Sequence, residues 1–215
     1  MTADDILDGL ELAVIEYDPA AAAHWAQQAV AQQIDPITAL AALTEAIREV
    51  GEGFGCGELF LPDLIAAAEA MAAATAILEA EVAQRGLHRQ GLGVVVIGTV
   101  FGDIHDIGKN MVATLLSAAG FTVHDLGINV RAEAFVAAVT TYNAQVLALS
   151  ALLTTTAPEQ KKVIDLLTAA NLRQQVKVIV GGGGITADFA AAIGADGFDA
   201  TAPGAVKLTK TLLAL

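Results

Sequence analysis

The stretch LGVVVIGTVFGDIHDIGKN, residues 92–110, joins an apolar run to a loop that holds an aspartate and a histidine two residues apart. The apolar run 92–98 is typical of a buried strand, and a helix is predicted to begin near Lys109. Doubly wound α/β proteins bind their ligands on loops that follow parallel strands. A carboxylate beside an imidazole sets the tautomer and basicity of a histidine that binds a metal. The loop therefore predicts an exposed metal ligand or catalytic base at His105.

Downstream of residue 92 the sequence alternates between apolar strand-like runs and helical segments. Continuous valine, isoleucine and leucine runs between helices indicate a parallel sheet that is covered on both faces. Five strands in about 125 residues favour the flavodoxin-like order 2-1-3-4-5, in which the loops at 99–108 and 150–156 meet. The predicted strands are residues 92–98, 121–125, 145–150 and 176–181, with a weak fifth at 197–198. The predicted helices are residues 109–119, 131–142, 158–172, 187–193 and 205–213.

The first 88 residues show no strand pattern and instead carry apolar residues at helical spacing. Asp18-Pro19 and Asp35-Pro36 each place a capping carboxylate before a proline, an arrangement that begins a helix. Four glycines at alternate positions in 51–57 are expected to interrupt the helical pattern, and a fourth helix is expected to open at Pro62. Residues 1–88 are therefore predicted to form a small four-helix bundle.

The net negative charge of the chain lies in the same segment. Residues 1–88 contain 15 acidic and two basic residues, whereas residues 89–215 contain nine of each. Together with the short polar segment 85–91, this difference predicts two domains, 1–88 and 89–215, joined by a linker. A net charge of −13 argues against nucleic acid as a partner, since contacts to phosphate require a basic surface.

The composition also bears on the cellular compartment. A single cysteine, Cys56, cannot form an internal disulfide, which favours a reducing cytoplasm. Acidic residues near the N-terminus argue against a secretory leader, and no apolar run is expected to approach the roughly 18–20 residues of a membrane span. We therefore expect a cytoplasmic protein without a membrane partner.

Two further loops add polar groups and glycines at the same predicted edge of the sheet. The segment SALLTTT, residues 150–156, places four hydroxyls after the third strand, and one of them is expected to cap the helix at Pro158. Four glycines, residues 181–184, follow the fourth strand, where they form a loose turn or let the backbone approach a ligand closely. The sequence contains neither a P-loop nor a GxGxxG motif, and Ser150 stands where a phospho-receiver domain needs an aspartate. Three loops thus offer what a large cofactor with a metal and a polar tail requires.

These loops resemble those of the corrinoid (cobalamin-binding) proteins of cobalamin-dependent methyltransferase systems of the methanol, methylamine and aryl-ether type. The cobalamin module of methionine synthase is a more distant resemblance. Segments of the first 88 residues, such as GELFLP at 57–62, resemble the helical cap that precedes the cobalamin domain in this family. The family motif DxHxxG is matched by Asp103, His105 and Gly108, SxL by Ser150 and Leu152, and GG by Gly181 and Gly182, with gaps that fit the family.

The resemblance implies that the chain binds cobalamin, as methylcobalamin or cob(I)alamin, or another corrinoid. The cofactor would be base-off, with His105 as the lower axial ligand of cobalt. Asp103 would accept a hydrogen bond from the far nitrogen of His105, and Thr156 would extend this relay. The residues implied to bind the cofactor are Gly102, Asp103, Ile104, His105, Asp106, Ile107, Gly108, Ser150, Leu152, Thr154, Gly181, Gly182 and Met71.

The resemblance further implies a carrier rather than a complete enzyme. Its partners would be a donor-specific methyltransferase, an acceptor methyltransferase that uses a thiol or a pterin, and a reductive activase. Phe60, Leu64 and Met71 are candidates for covering the upper face of cobalt, although ordinary bundle core explains them equally well. The glycine-containing segment 85–93 is the expected hinge between the two domains.

Two other functions share the DxHxxG motif and remain open on that motif alone. One is the cobalamin-binding subunit of an adenosylcobalamin mutase, against which the helical segment 1–88 argues. The other is a cobalamin-sensing regulatory protein, which would be expected to carry a basic DNA-binding segment rather than an acidic one.

Overall fold

A computed structural model describes residues 2–87 and 91–215, in which the chain divides into two units, Met1–Gln90 and Gly91–Leu215. The predicted domain boundary at 88–89 falls on residues outside the described part of the chain. The same holds for the middle of the predicted linker 85–91 and of the predicted hinge 85–93.

Four helices make up the described part of the first unit, and their starts follow the capping signals in the sequence. Thr2 and Asp5 form a reciprocal capping box at the first helix. The carboxylates of Asp18 and Asp35 accept hydrogen bonds from the opening amides of the second and third helices, each of which begins with proline. The helices are α1 (Ala3–Ile15), α2 (Pro19–Ala31), α3 (Pro36–Cys56) and α4 (Leu61–Gln84).

Helix α3 continues through the glycines that were expected to break it. It ends at Cys56 and not at Gly51, and Gly57, which has a left-handed φ of 79°, caps it. Val50 is buried in the bundle, and a Cβ at Gly53 would lie 3.0 Å from the Leu59 side chain. Packing of this last stretch of the helix outweighs a helix-propensity cost of about 1 kcal/mol per glycine, so the expectation of an interruption was wrong.

Helix α4 is long and apolar enough, by length and composition, to cross a membrane, and it is the one such helix in the part of the chain that the structure describes. This corrects the expectation that no run approaches that length. Ten of its 24 residues are alanine, and Leu64, Met71 and Leu78 lie in the bundle core. Because α4 packs against α2 and α3, its apolar side is accounted for by the bundle.

The second unit is a five-stranded parallel sheet with the order β2-β1-β3-β4-β5, which confirms the flavodoxin-like order. Helices α5 and α9 cover one face of the sheet, and α6, α7 and α8 cover the other, where the larger apolar core lies. The strands are β1 (Val94–Thr99), β2 (Thr122–Asp125), β3 (Val146–Ser150), β4 (Lys177–Gly181) and β5 (Gly197–Phe198). The helices are α5 (Ile107–Ala118), α6 (Ala132–Thr141), α7 (Pro158–Ala169), α8 (Ala187–Ile193) and α9 (Ala202–Leu212).

Two helices begin earlier than the sequence pattern indicated. Helix α5 starts at Ile107 rather than at Lys109, so Ile107 and Gly108 belong to its first turn and not to the loop. Helix α9 starts at Ala202, since the Thr201 hydroxyl accepts a hydrogen bond from the amide of Gly204.

The bundle provides a matched pair of glycine substitutions. A Cβ at Gly9 would lie 2.4 Å from the indole of Trp25, whereas a Cβ at Gly55 would meet nothing within 4 Å. We expect Gly9→Ala to lower the free energy of unfolding by about 1–3 kcal/mol through overpacking. Gly55→Ala should raise it by about 0.5 kcal/mol because alanine loses less backbone entropy in a helix. Urea unfolding of the two variants checks this, and equal effects would contradict it.

Candidate functional site

Three loops leave the carboxyl end of the sheet at the same level. Thr99 at the end of β1 pairs with Ser150 of β3, and Ser150 pairs with Gly181 of β4. The parallel register therefore brings the predicted aspartate–histidine loop, the hydroxyl-rich loop and the glycine loop together at one edge.

The carboxylate of Asp103 is the centre of this edge, and its side chain is 0% exposed. Its Oδ1 accepts hydrogen bonds from the backbone amide of His105 at 3.0 Å and from His105 Nδ1 at 2.7 Å. Its Oδ2 accepts from the amides of Leu152 and Leu153 at 2.8 and 3.3 Å, and from the Thr156 hydroxyl at 2.6 Å. One carboxylate thus binds its own loop and the β3–α7 loop (residues 151–157).

These donors decide the charge of Asp103. Burial by itself would raise the pKa of the carboxyl group. Hydrogen bonds from the Thr156 hydroxyl, from the backbone and ring of His105 and from the amide of Leu152 outweigh burial and hold the pKa well below its usual range. Asp103 is therefore an ionised, fixed acceptor.

His105 is held at three points while one ring nitrogen is left free. Its carbonyl oxygen accepts a hydrogen bond from the buried Thr99 hydroxyl at 3.0 Å. Its amide and Nδ1 are both bound by Asp103, which makes Nδ1 the protonated nitrogen opposite an ionised carboxylate. The side chain is 47% exposed, and Nε2 makes no hydrogen bond to any described residue. The lone pair of Nε2 is available to a ligand from outside.

One hydroxyl of the β3–α7 loop, that of Thr156, binds the Asp103 carboxylate, and no side chain caps the helix that follows. Helix α7 has Ala157 at its N-cap and no capping side chain, so the expected hydroxyl cap was wrong. Thr156 instead donates to Asp103, and its oxygen also lies 3.0 Å from the Leu153 carbonyl oxygen. Within the described chain, the hydroxyls of Ser150 and Thr154 make no hydrogen bond, so both remain available to a ligand.

The glycines after β4 allow two loops to touch. Gly182 has φ 122°, and a Cβ on it would lie 2.0 Å from the carbonyl oxygen of Ala151. A Cβ on Gly184 would lie 2.8 Å from the carbonyl oxygen of Leu152. The close approach that the glycine run permits is thus to the β3–α7 loop, in a packed arrangement rather than a loose turn.

The surface around His105 is apolar. Ile104 and Ile107 are 68% and 70% exposed, and Leu152 and Leu153 are also exposed. Phe101, which lies beside the loop, is stacked under the guanidinium of Arg131 at 5.7 Å. Large apolar side chains grouped on neighbouring loops are typical of a binding site.

Several candidate residues lie away from the carboxylate. Asp106 caps α5 with its backbone only, and Ile107 and Gly108 lie in the first turn of that helix. In the first unit, Leu64 and Met71 are core residues of the bundle, whereas Phe60 is exposed. For Leu64 and Met71 the burial fits ordinary core, and a contact of Met71 with a cofactor stays a prediction.

Sequence reasoning missed three residues that hold the loops. Thr99 and Asn129 bind the backbone of the aspartate–histidine loop. Gln160, buried on α7, donates to the carbonyl oxygens of Leu149 and Gly181 at 3.0 and 3.2 Å and so joins the ends of β3 and β4. The charged residues on either side of Gln160 give no signal for this contact, while the Gly127-Ile128-Asn129 turn marks a loop without showing what it binds.

Comparison with known proteins agrees with this geometry. A B12 binding domain family matches residues 93–207, which is more than half of the chain, and a second B12 binding domain family matches residues 6–79. A corrinoid protein of Desulfitobacterium hafniense is 44% identical over 97% of both chains. The chain belongs to the B12-binding corrinoid proteins.

Further similarities cover both units of this corrinoid protein. Trimethylamine corrinoid protein 2 of Methanosarcina mazei is 42% identical over 98% of this chain and 97% of that protein. The methanol:cobalamin methyltransferase complex of Methanosarcina barkeri contains a chain that superimposes with a TM-score of 0.89 at 30% identity. That superposition covers 99% of this chain and 81% of the other.

The ionised carboxylate leads to a prediction for stability. Asp103→Asn replaces two acceptor oxygens by one and turns an amide NH2 towards donor groups. We expect the free energy of unfolding to fall by about 2–4 kcal/mol at neutral pH. Because the folded-state pKa of Asp103 is lowered, the wild-type advantage is full above the ordinary carboxyl pKa of about 4 and shrinks as the pH falls below it.

Urea unfolding of wild type and Asp103→Asn at about pH 7 and about pH 3 measures this difference. Asp106→Asn is the control, since the Asp106 side chain makes no hydrogen bond to the described residues. An advantage of wild type over Asp103→Asn that is the same at both pH values would contradict the assignment.

Proposed function

We propose that this chain is a methyl carrier that binds a corrinoid base-off, with Nε2 of His105 as the lower ligand of cobalt. It would pass a methyl group from a donor-specific methyltransferase to an acceptor methyltransferase. The observation that carries the proposal is the imidazole whose Nδ1 is fixed by Asp103 and whose Nε2 is free. The carboxylate–histidine arrangement is the one that proteins use to orient a metal-binding imidazole.

The residues of the site fit a metal ion that is already bound by the other ligands of its own complex when it reaches the protein. Among residues 2–87 and 91–215, no group of three histidine, cysteine, aspartate or glutamate side chains could hold a metal ion. His105 therefore supports metal binding only as one ligand of a complex whose other ligands come from elsewhere. A corrinoid would bring its own nitrogen ligands to cobalt, and Nε2 of His105 would supply the one ligand that comes from the protein.

The other site residues fit a large, partly apolar ring with a polar tail. Ile104, Ile107 and Leu152 provide exposed apolar surface beside His105. The unpaired hydroxyls of Ser150 and Thr154, together with the backbone of Gly181 and Gly182, lie along the neighbouring strand ends where a nucleotide tail would descend. Burial of the apolar surface under the ring contributes about 25 cal/mol per Å² to binding.

Bound cobalamin supplies a cobalt that accepts a methyl group from one partner and donates it to another. The chain controls the strength of the axial ligand. Asp103 holds a proton at Nδ1 of His105, and the Thr156 hydroxyl stabilises the far oxygen of the same carboxylate. A proton added to the pair weakens Nε2 as a donor and a proton removed strengthens it, which couples protonation to coordination.

The partners follow from the same proposal. Relatives are named for trimethylamine and dimethylamine, and one related structure is a methanol:cobalamin methyltransferase complex. A donor methyltransferase for methanol or a methylamine, an acceptor methyltransferase using a thiol or a pterin, and a reductive activase are the expected partners.

The ligand assignment is tested with the full chain reconstituted with cobalamin and reduced to Co(II). In a chain labelled with ¹⁵N-histidine, the nitrogen splitting in the electron paramagnetic resonance spectrum should be the doublet of ¹⁵N. A triplet from ¹⁴N would identify the base of the cofactor itself as the ligand and reject the assignment. His105→Ala should abolish the ¹⁵N doublet, and His124→Ala, whose ring stacks on Tyr142, should retain it.

The carrier function is tested with the same holo-protein in the reduced state. Methanol and each methylamine are supplied together with a matching donor methyltransferase, and methylation of cobalt is followed by its optical spectrum. We expect one donor class to methylate wild type, and His105→Ala to be methylated at least about tenfold more slowly because the imidazole that would stabilise the methylated state is missing. Failure of methanol and of every methylamine with a correctly ligated wild-type protein would refute the proposal of a carrier for these two donor classes.

A further inference from the structure

The loop between β2 and α6 (residues 126–131, the β2–α6 loop) contributes no candidate cofactor residue, yet it is bonded along its length to the β1 side of the site. The amide of Thr99 donates to the carbonyl of Gly127 at 2.9 Å, and the amide of Val130 donates to the carbonyl of Thr99 at 3.0 Å. Val100 and Val130 form a parallel bridge. The β2–α6 loop, which follows the edge strand β2, therefore lies against the start of the aspartate–histidine loop.

Within this loop, Asn129 makes the contacts that lie nearest to His105, the proposed cobalt ligand. Its Oδ1 accepts a hydrogen bond from the amide of Gly102 at 2.8 Å, and its own amide donates to the carbonyl oxygen of Asp103 at 3.0 Å. One asparagine therefore binds the two residues that come just before Ile104 and His105. Gly102 has a left-handed φ of 79° in the turn that the Asp103 amide closes on the carbonyl oxygen of Val100 at 3.1 Å, and its own amide is bound by Asn129.

We propose that Asn129 is a positioning residue for His105, an inference that rests on the proposed role of His105 as a cobalt ligand. Asn129 fixes the backbone of Gly102 and Asp103. That backbone places the Asp103 carboxylate between the β3–α7 loop and the imidazole. The carboxylate then orients Nδ1, and with it the direction in which Nε2 points.

The conformation of Asn129 alone does not account for this contact. Asn129 has φ 54°, and asparagine tolerates the left-handed region. Asn143 and Asn171 have φ values of 54° and 58°, but their side chains make no hydrogen bond to any described residue. Backbone conformation is therefore sufficient to explain those two asparagines, whereas Asn129 also uses its side-chain oxygen.

The matched variants follow from this difference. Asn129→Gly keeps the left-handed backbone and removes the oxygen that binds Gly102. Asn143→Gly makes the same chemical change at a site without that bond, and Asn129→Asp restores an oxygen acceptor at the same branch of the side chain.

The first measurement is hydrogen exchange of the Gly102 amide in the full chain without cofactor. Asn129→Gly should raise the exchange rate about 2- to 10-fold, which is the loss expected for one hydrogen bond. Asn143→Gly should leave the rate unchanged, and Asn129→Asp should return it to the wild-type value.

The second measurement is the fraction of Co(II) protein that shows the ¹⁵N-histidine doublet. We expect this fraction to fall at least about twofold in Asn129→Gly and to recover in Asn129→Asp. If Asn129→Gly keeps the wild-type fraction, Asn129 does not position His105, even where exchange of Gly102 is faster. Loss of the doublet from wild type itself would instead refute the role of His105, so the two failures are distinguishable.

Discussion

The ionised carboxylate of Asp103 joins two of the loops that meet at the carboxyl end of the sheet. A buried charge is costly unless it is paired or fully hydrogen-bonded, and Asp103 satisfies this condition only when donors from two loops are present at once. His105 supplies two of the donors, and the segment from Leu152 to Thr156 supplies the rest. The two loops are therefore coupled, because displacing either one leaves a charge without its partners.

That coupling depends on the register of the sheet. Thr99 and Ser150 are paired at the ends of β1 and β3, and the next amide of each strand continues the ladder: Val100 donates to Ser150 and Ala151 donates to Gly181. A slip of one residue between these strands would turn the side chains to opposite faces and separate the carboxylate from its donors. The geometry of the imidazole is thus a property of the sheet and not of the six-residue motif that contains it.

The residue pattern was sufficient to predict some of this arrangement. Runs such as VVVI at 94–97 are long enough and apolar enough to identify buried parallel strands, and Asp103 and His105 are close in sequence, so their pairing was expected. The path of α3 through Gly53 was not predictable, since it depends on the packing of Leu59 and Val50 in the bundle. Among the partners of Asp103 beyond His105, Thr156 was implied by the family resemblance, whereas the amides of Leu152 and Leu153 were not. All three lie about fifty residues away, and the folded register brings them into contact.

The other side of the same loop is held by a second charge. Lys109 is buried at the start of α5, and its ammonium group binds the carboxylate of Asp125 at the end of β2 and the amide oxygen of Asn110. Asp125 also accepts from the amide of Gly127, at the start of the β2–α6 loop.

The aspartate–histidine loop is consequently bound at both ends and on both sides. The carboxylate of Asp103 binds it to the β3–α7 loop. Lys109 binds it to the end of β2, and Asn129 binds it to the β2–α6 loop. A loop that contains a glycine, here Gly102, loses considerable backbone entropy when it is ordered. Here the ordering is supplied by contacts made with neighbouring strands and loops, which leave Nε2 of His105 without a hydrogen bond to any described residue. A site of this kind directs one donor outward with little freedom of the ring, which is what an axial ligand to a large preformed metal complex requires.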